Sequence, residues 1–306
     1  MATDTKAIRQ KIKSIGNIQK ITKTMEMVSV AKMKKSTEMN NRGKAYATYM
    51  LDLMSHIAVQ PNIDHPLLGI KDKVSRGSTS TQKELVIVIS SNKGLAGSYN
   101  TNISKALSEY KKKSGMEIDT LTIGKQSEKS ARRNGLQIIA SFITFSEKTS
   151  SDEFLVIRDM IIEKFKAGDY DKVSVLYTEW KSALSYKPYM MQLIPIVPNL
   201  YSNFLLDTDV GSSTSGISLR EYTFEPGMQS ILDQLVPQAV ALALYHAFRE
   251  AQASEHSARM FAMKNANDNA GEILSDLTLF YNQARQAAIT QEISEIVGGA
   301  SAQLSN

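Results

Sequence analysis

Apolar residues recur in steps of three and four over the first part of the chain, a spacing that is typical of an amphipathic helix. These residues are Ile8, Ile12, Ile15, Ile18, Ile21, Met25 and Val28. No proline occurs between Thr3 and Gln60. We therefore predict one long N-terminal helix, which at about 1.5 Å per residue extends roughly 80–90 Å. A helix of that length needs a packing partner.

The C-terminal part of the chain supplies such a partner. No proline follows Pro237. Apolar residues then alternate in steps of four and three, which is the spacing of a coiled-coil seam. They are Ile273, Leu277, Phe280, Ala284 and Ala287. We predict that the two terminal helices form an antiparallel pair, and that its small alanines make the interface shallow.

The pattern between these helices changes to short apolar runs that alternate with helical segments. The first run, ELVIVISS at 84–91, is rich in β-branched residues and predicts a buried parallel strand. A glycine-containing turn follows it. Further strands are predicted at 136–141, 173–177 and 189–197, helices at 103–113, 127–134 and 154–165, and an apolar segment lies at 118–123. The fold class is therefore α/β: a Rossmann-like parallel sheet domain combined with a long antiparallel coiled coil.

Composition narrows the possible functions. The chain of 306 residues has no cysteine, which excludes a disulfide framework, a thiolate metal site and a cysteine nucleophile. A net charge of +5 favours acidic partners. The N-terminal helix is the most basic part, and residues 1–45 contain no aromatic residue that could stack on bases. An acidic protein partner is favoured, while a basic coiled-coil scaffold that binds nucleic acid remains the alternative.

Two groups of residues invite a chemical interpretation. Gly94 and Gly97 follow the first strand, but they match neither the Rossmann spacing nor the P-loop spacing, so a tight turn is favoured over nucleotide binding. The histidines, at positions 56, 65, 246 and 256, show no zinc-protease spacing and are interpreted as packing or surface residues. We expect no catalytic residue, no metal and no cofactor in this chain.

Several stretches resemble the gamma subunits of F-type ATP synthases. The two ends carry the strongest resemblance, in IQKITKTMEMVSVAKMKKS near the N-terminus and ITQEISEIVGGA near the C-terminus. The runs SSNKGLAGSYNTNI, FEPG and SEHSARMFAMKNANDNAGEIL are similar to the family as well, in the expected order. The resemblance thus covers nearly the whole chain.

The resemblance implies a rotating central shaft. Its terminal helices would lie inside a ring of alternating alpha and beta subunits, with the Rossmann-like domain near the base. One copy per complex would also contact the epsilon subunit and the membrane c-ring, and would bind no nucleic acid. Such a shaft couples proton flow through the c-ring to ATP synthesis or hydrolysis in the beta subunits and regulates the ATPase activity, without being catalytic itself.

Site residues follow from the same resemblance. Arg285 and Gln286 match a pair that forms a catch with an acidic loop of a beta subunit. Met25 matches a methionine that lies near this pair, on the facing helix. The segment in which changes disturb coupling contains Arg259, Thr290 and Glu292.

The base of the shaft is predicted by resemblance too, with Tyr222 and Glu225 near the foot that meets the c-ring and the epsilon subunit. The predicted regions are an N-terminal coiled-coil helix, a connector, the Rossmann-like domain, a flexible loop with the foot, and a C-terminal coiled-coil helix. Their boundaries are 1–60, 61–83, 84–206, 207–226 and 227–306. The Gly/Ser-rich run 207–218 within the fourth region is a departure from the family pattern.

The sequence predicts membrane association only through partners, because no apolar run is long enough to span a bilayer. The N-terminus lacks the features of a secretory or transit peptide. We expect a location on the cytoplasmic face of a bacterial inner membrane, with the matrix side of the mitochondrial inner membrane as the alternative. Plant-type gamma subunits carry an inserted regulatory segment with a cysteine pair. This chain has no cysteine, so it cannot be regulated in that way.

Overall fold

The computed structural model describes residues 2–58, 65–68, 82–196 and 227–304. Two long helices, α1 (Ala2–Ala58) and α5 (Met228–Leu304), occupy the two ends of the chain. The strands between them are β1 (Lys83–Ile89), β2 (Glu117–Ile123), β3 (Gln137–Phe142), β4 (Lys172–Trp180) and β5 (Tyr186–Ile194). The helices are α2 (Tyr99–Ser114), α3 (Lys125–Arg133) and α4 (Glu153–Ala167). Each predicted helix and strand is confirmed, with small shifts at the ends.

The five strands form one sheet in the order β3-β2-β1-β4-β5. The predicted parallel arrangement is confirmed for β1 to β4, whose connections are long enough to cross over. Strand β5 pairs antiparallel with β4. The short turn between them explains the direction of β5, because a turn closed by Lys181 and Ser185 backbone hydrogen bonds can only join antiparallel neighbours.

Alternating residues of β1 face two separate hydrophobic cores, as the two-residue period of a strand requires. Leu85, Ile87 and Ile89 face a core built with α4 and α5. Val86 and Val88 face a second core built with α2 and α3. The sheet is therefore covered on both faces, which explains why β1 reads as a continuous apolar run.

A fully buried carboxylate stands at the start of β1. Glu84 is 0% exposed and accepts hydrogen bonds from Tyr110 Oη (2.8 Å) and Ser174 Oγ (2.5 Å). Lys172 Nζ lies 3.2 Å from the same carboxylate. Because a buried charge is tolerated only when it is paired and hydrogen-bonded, we assign this cluster a structural role.

The chain divides into two compact units. The first contains Met1–Val30 and Arg259–Asn306, and the second contains Ala31–Ala258. Within the second unit, Ser257 Oγ lies 3.0 Å from Met33 Sδ, and Tyr46 Oη lies 3.4 Å from Gln238 Oε1. Residue numbers thus fall along α5 as they rise along α1, which confirms the predicted antiparallel pair. The loop predicted at 207–218 and most of the predicted connector lie outside the described residues.

Candidate functional site

In the first unit the inner side of α1 follows a regular seven-residue repeat. Its buried and half-buried positions alternate in steps of three and four, as in a coiled coil. They include Thr5, Ile8, Ile12, Ile15, Gln19, Thr22, Glu26 and Ser29. The first half of this seam is apolar and the second half is polar, so the helix pair is not held by a uniform hydrophobic zipper.

Helix α5 shows the matching repeat over its part of the first unit. Its buried and half-buried positions include Met263, Asn267, Ala270, Leu274, Leu277, Tyr281, Ala284 and Ala288. Gly271, beside this seam, lies against the side chain of Gln19. From Ile289 to Ala300 every residue of α5 is exposed. Ala288, the last half-buried residue of α5, lies as far beyond Gly271 as Ala2, the first described residue of α1, lies before Gln19. Burial on α5 therefore extends as far as the described part of the antiparallel α1.

The seam predicted from the apolar pattern is therefore only partly right. Ile8, Ile12 and Ile15 lie in it, but the later residues that were assigned to it do not. Ile18, Ile21, Met25 and Val28 on α1, and Ile273, Phe280 and Ala287 on α5, are exposed. On α5, Leu277 and Ala284 are confirmed.

Short hydroxyl side chains explain how polar residues occupy the seam. Thr22 Oγ1 donates to the carbonyl of Gln19 at 2.9 Å, and Ser29 Oγ donates to the carbonyl of Met25 at 2.7 Å. Each hydroxyl is thus satisfied within its own helix, so burying it leaves no unpaired polar atom.

The apolar residues of α1 and α5 that lie outside the seam form the outer surface of the first unit. They range from Met25, 36% exposed, to Ile296, 71% exposed, and they continue past the end of the α1 partner through Ile293 and Val297. Folded proteins seldom expose many large apolar side chains on one element unless another molecule covers them. This apolar outer surface, together with the exposed lysines of α1, is the candidate functional site.

The structure places six predicted contact residues on the first unit. Arg285, Gln286, Thr290 and Glu292 are exposed, and Arg259 is half-buried. All are therefore on elements that another protein could reach, although their roles stay predictions. Met25, the sixth of these residues, lies on α1 and is also exposed.

The predicted proximity of Met25 to Arg285 is wrong. Gly271 lies beside Gln19, which fixes the level of the two helices. Met25 is six residues beyond Gln19, and Arg285 is fourteen residues beyond Gly271 in the opposite direction. At about 1.5 Å per residue, these steps separate the two side chains by about 30 Å along the helix pair. The predicted foot residues Tyr222 and Glu225 lie outside the described residues.

The second unit shows why the sheet is a poor nucleotide site. In an open α/β sheet, ligands bind at the carboxyl ends of the strands where the strand order reverses, here between β1 and β4. Helix α5 covers this position. Tyr99 Oη donates to the carbonyl of Ala251 at 3.1 Å, and Ser254 Oγ donates to the carbonyl of Thr178 at 3.1 Å. The turn after β1 therefore packs against a helix of the same chain.

The remaining candidates for chemistry give no site. His65, His246 and His256 are buried, and the side chain of His56 lies outside the described residues. Across residues 2–58, 65–68, 82–196 and 227–304 there is no group of three potential metal ligands. Within the same ranges, no helix combines the length and the hydropathy that crossing a bilayer requires.

Comparisons with known proteins agree with this description. A family model described as "ATP synthase" matches residues 4–303. The "ATP synthase gamma chain" of Pelotomaculum thermopropionicum is 35% identical over 296 residues, covering 96% of this chain and 97% of that protein. The protein of the same name from Symbiobacterium thermophilum is 33% identical over 303 residues, covering 99% of each.

Solved structures share the fold. A chain from the rotor of the Euglena gracilis mitochondrial ATP synthase aligns with a TM-score of 0.64 and 16% identity, covering 94% of this chain and all of that one. A chain from the OSCP/F1/c-ring assembly of the same organism aligns with a TM-score of 0.66 and 18% identity, covering 99% and 95%. At such identities the likeness concerns the fold alone.

Proposed function

The chain belongs to the ATP synthase gamma chain family. We therefore propose that it is the central rotor of an F-type ATP synthase. In this role it couples proton flow through a membrane c-ring to ATP synthesis or hydrolysis at the beta subunits. The coupling runs in both directions, so the same chain also regulates the ATPase activity. It carries no catalytic group of its own.

The apolar outer surface of the first unit is the observation that carries the proposal. It exposes large residues along two helices, such as Ile21 on α1 and Ile293 on α5, and every residue of α5 from Ile289 to Ala300 is exposed. A ring of alpha and beta subunits would enclose such a surface and remove it from water. Burying apolar area is favourable at about 25 cal/mol per Å² and is not directional, so it holds the shaft without fixing one rotational position.

Asymmetry lets one shaft control three sites. The two faces of the helix pair differ, since α1 is rich in lysine while the end of α5 is rich in alanine and isoleucine. Inside a ring of three chemically identical sites, each site would meet a different face and would be biased toward a different state. The shaft can shift a site only by as much as its contacts differ between the states of that site.

Specific contacts would then come from a few polar side chains. Arg285 and Gln286 are exposed and carry the donors that suit a carboxylate on a beta subunit. Thr290 and Glu292 continue the same exposed segment, while Met25 and Arg259 would contact the ring at other levels. Because Met25 lies about 30 Å from Arg285 along the pair, we propose two separate contact levels in place of a single catch.

The base of the rotor would contact the epsilon subunit and the c-ring, with Tyr222 and Glu225 as the proposed foot residues. One copy of the chain would be present per complex, and its contact with the membrane would be only through these partners. We place the complex on the cytoplasmic face of a bacterial inner membrane, in line with the bacterial relatives. The mitochondrial matrix side is the alternative location.

Assembly tests this proposal. Purified alpha and beta subunits are mixed with the chain, and the native mass and ATP hydrolysis rate of the product are measured. We expect one copy of the chain per three alpha and three beta subunits, and a faster turnover than without the chain. A chain that stays free and leaves the rate unchanged would overturn the proposal.

A further inference from the structure

The loop between β3 and α4, residues 143–152, contacts both long helices in the second unit. The carboxylate of Glu147 lies at its centre. Oε1 of Glu147 is 2.7 Å from Nζ of Lys32 on α1 and 3.3 Å from Nε2 of His256 on α5. One carboxylate oxygen thus joins three elements of the chain.

Arg249 of α5 fixes the backbone of the same loop. It is 3% exposed, and its guanidinium donates to the carbonyls of Glu147 at 3.2 Å and Thr149 at 2.7 Å. A third hydrogen bond runs to Gln252 Oε1 at 3.0 Å. A buried guanidinium has to be paired in this way, because leaving its donors unsatisfied in the protein interior is costly. The loop is therefore held at two carbonyl groups that no substitution of its side chains would remove.

Ring packing and the turn after β1 complete the junction. The ring of Phe145 packs edge-on against that of Phe248 on α5, with centroids 5.9 Å apart. Asn92 Nδ2, in the turn after β1, donates to the carbonyl of Phe145 at 2.9 Å. The loop thereby joins the sheet to α5 through apolar and backbone contacts. Its link to α1 runs through Glu147 and Lys32.

The side chains in that link are poorly placed to contribute much stability. Lys32 and Glu147 are 43% and 34% exposed, and ion pairs of this exposure contribute little to the free energy of unfolding. Burial alone would raise the pKa of Glu147, but Lys32 and His256 hold the pKa below its usual value. The carboxylate is thus ionised at neutral pH and stays available to both helices.

We propose that Glu147 is a positioning residue that fixes the rotational setting of α1 against α5 and the sheet of the second unit, so that torque passes between them without slippage. This inference rests on the proposed rotor function. The contacts differ in kind: α5 is anchored to the loop by buried groups, whereas α1 is anchored by a charge pair that can be removed without opening the core. Loss of the pair should therefore reduce coupling more than it reduces folding or hydrolysis.

The first test compares proton pumping with ATP hydrolysis in the complete complex, reconstituted in membrane vesicles. In Glu147→Gln and Lys32→Met we expect hydrolysis and assembly to persist, while protons pumped per ATP fall at least about twofold, since the coupling free energy is reduced. A purely structural role would lower assembly, hydrolysis and pumping together, and that result would overturn the proposal. An unchanged pumping ratio would overturn it as well.

The second test restores the link by a covalent bridge. The chain has no cysteine, so in the variant Lys32→Cys/Glu147→Cys a short bismaleimide reacts only at these two positions before assembly. We expect a low pumping ratio before bridging and the wild-type ratio after it. A bridged chain that still pumps poorly would contradict the proposal. The control Lys105→Cys/Glu163→Cys removes the same charges from exposed positions on α2 and α4 and should pump like the wild type.

Wild-type measurements separate the two proposals. If the wild-type chain neither assembles nor supports pumping, the rotor function itself is wrong. If the wild-type complex pumps and the Glu147 and Lys32 variants match it, the rotor function stands and the positioning role of Glu147 is refuted.

Discussion

The side-chain amide of Gln19 on α1 lies 3.2 Å from the point where a Cβ atom on Gly271 of α5 would stand. The Gln19 side chain thus occupies the space into which a side chain at position 271 would project. Glycine is unfavourable inside a helix, by up to about 1 kcal/mol relative to alanine. The Gln19 side chain supplies a physical reason for glycine at this position.

Enlarging Gly271 should therefore separate the helices. We expect Gly271→Leu to lower the free energy of unfolding by about 1–3 kcal/mol, because the added side chain overpacks the seam. Gly271→Ala should change it by less than about 1 kcal/mol, since the end of Gln19 can move and alanine favours the helix. Urea unfolding followed by helical circular dichroism measures both.

Gly298 provides the control for this series, because nothing lies within 4 Å of the position of its Cβ. Gly298→Leu should leave the unfolding midpoint nearly unchanged. Equal effects of leucine at positions 271 and 298 would show that the helices do not pack closely at Gln19.

Removing the proposed catch should affect function without affecting folding. In the assembled complex, Arg285→Ala and Gln286→Ala should each lower coupled ATP synthesis several-fold, up to about tenfold, because each would lose the proposed hydrogen bonds to a beta-subunit carboxylate. Both side chains are exposed, so the unfolding midpoint of the isolated chain should not change. The exposed Gln283, replaced by alanine, is the matched control. Wild-type synthesis rates in both variants would remove these residues from the site.

The helical nature of both ends was predictable from the sequence, whereas the identity of the seam was not. Ile8, Ile12 and Ile15 lie inside as the pattern indicates. From Ile18 onward, the most apolar stripe and the buried stripe diverge by one residue, since Gln19 is half-buried and Thr22 is buried while Ile18 and Ile21 are exposed. Periodicity identifies an apolar face, but it does not say which molecule covers that face. In a chain with partners the two differ.

The sheet was easier to predict, because β1 is covered on both faces by helices of its own chain. Its apolar run therefore reports burial directly. The direction of β5 was not specified by the pattern, since strand runs carry no information on their pairing. The loop contacts of Glu147 and Arg249 were missed as well, because charged residues far apart in the sequence give no periodic signal.

The turn that ends β2 depends on Gly124. Its φ is +100°, and a Cβ there would stand 2.2 Å from the carbonyl oxygen of Ser90. We expect Gly124→Ala to lower the free energy of unfolding by about 2–4 kcal/mol, through the clash and the unfavourable backbone conformation together. Chemical denaturation of the isolated chain measures the loss.

Gly94 is the control for Gly124, since a Cβ on Gly94 meets nothing within 4 Å. Gly94→Ala should unfold like the wild type. If Gly124→Ala were equally stable, the tight approach between the ends of β1 and β2 would be refuted.

Acid should destabilise the chain partly through His65. Burial lowers the pKa of His65 below its usual 6.5, in spite of the Asp233 carboxylate 3.4 Å away. The folded state thus binds fewer protons at this residue than the unfolded state, so its contribution is present above pH 6.5 and is lost as the pH falls below that value. Protonation also places a hydrogen on Nδ1, which accepts from the Leu67 amide.

Comparing the unfolding midpoints at about pH 7.5 and about pH 5.5 tests the contribution of His65 to stability. His65→Gln keeps an acceptor and a donor but does not titrate, so we expect its midpoint to fall less on acidification than that of the wild type. An identical fall in both proteins would exclude His65 as a source of the acid sensitivity.

Rotation of this chain inside a ring of alpha and beta subunits is the direct measure of rotor function. A cysteine placed at the exposed Lys112 of α2 would be the only cysteine of the chain, and it can carry a visible probe while the alpha and beta subunits are fixed to a surface. We expect ATP to drive rotation of the probe in one direction, with three pauses per turn. A probe that stays still, or turns equally in both directions while ATP is hydrolysed, would contradict the rotor function.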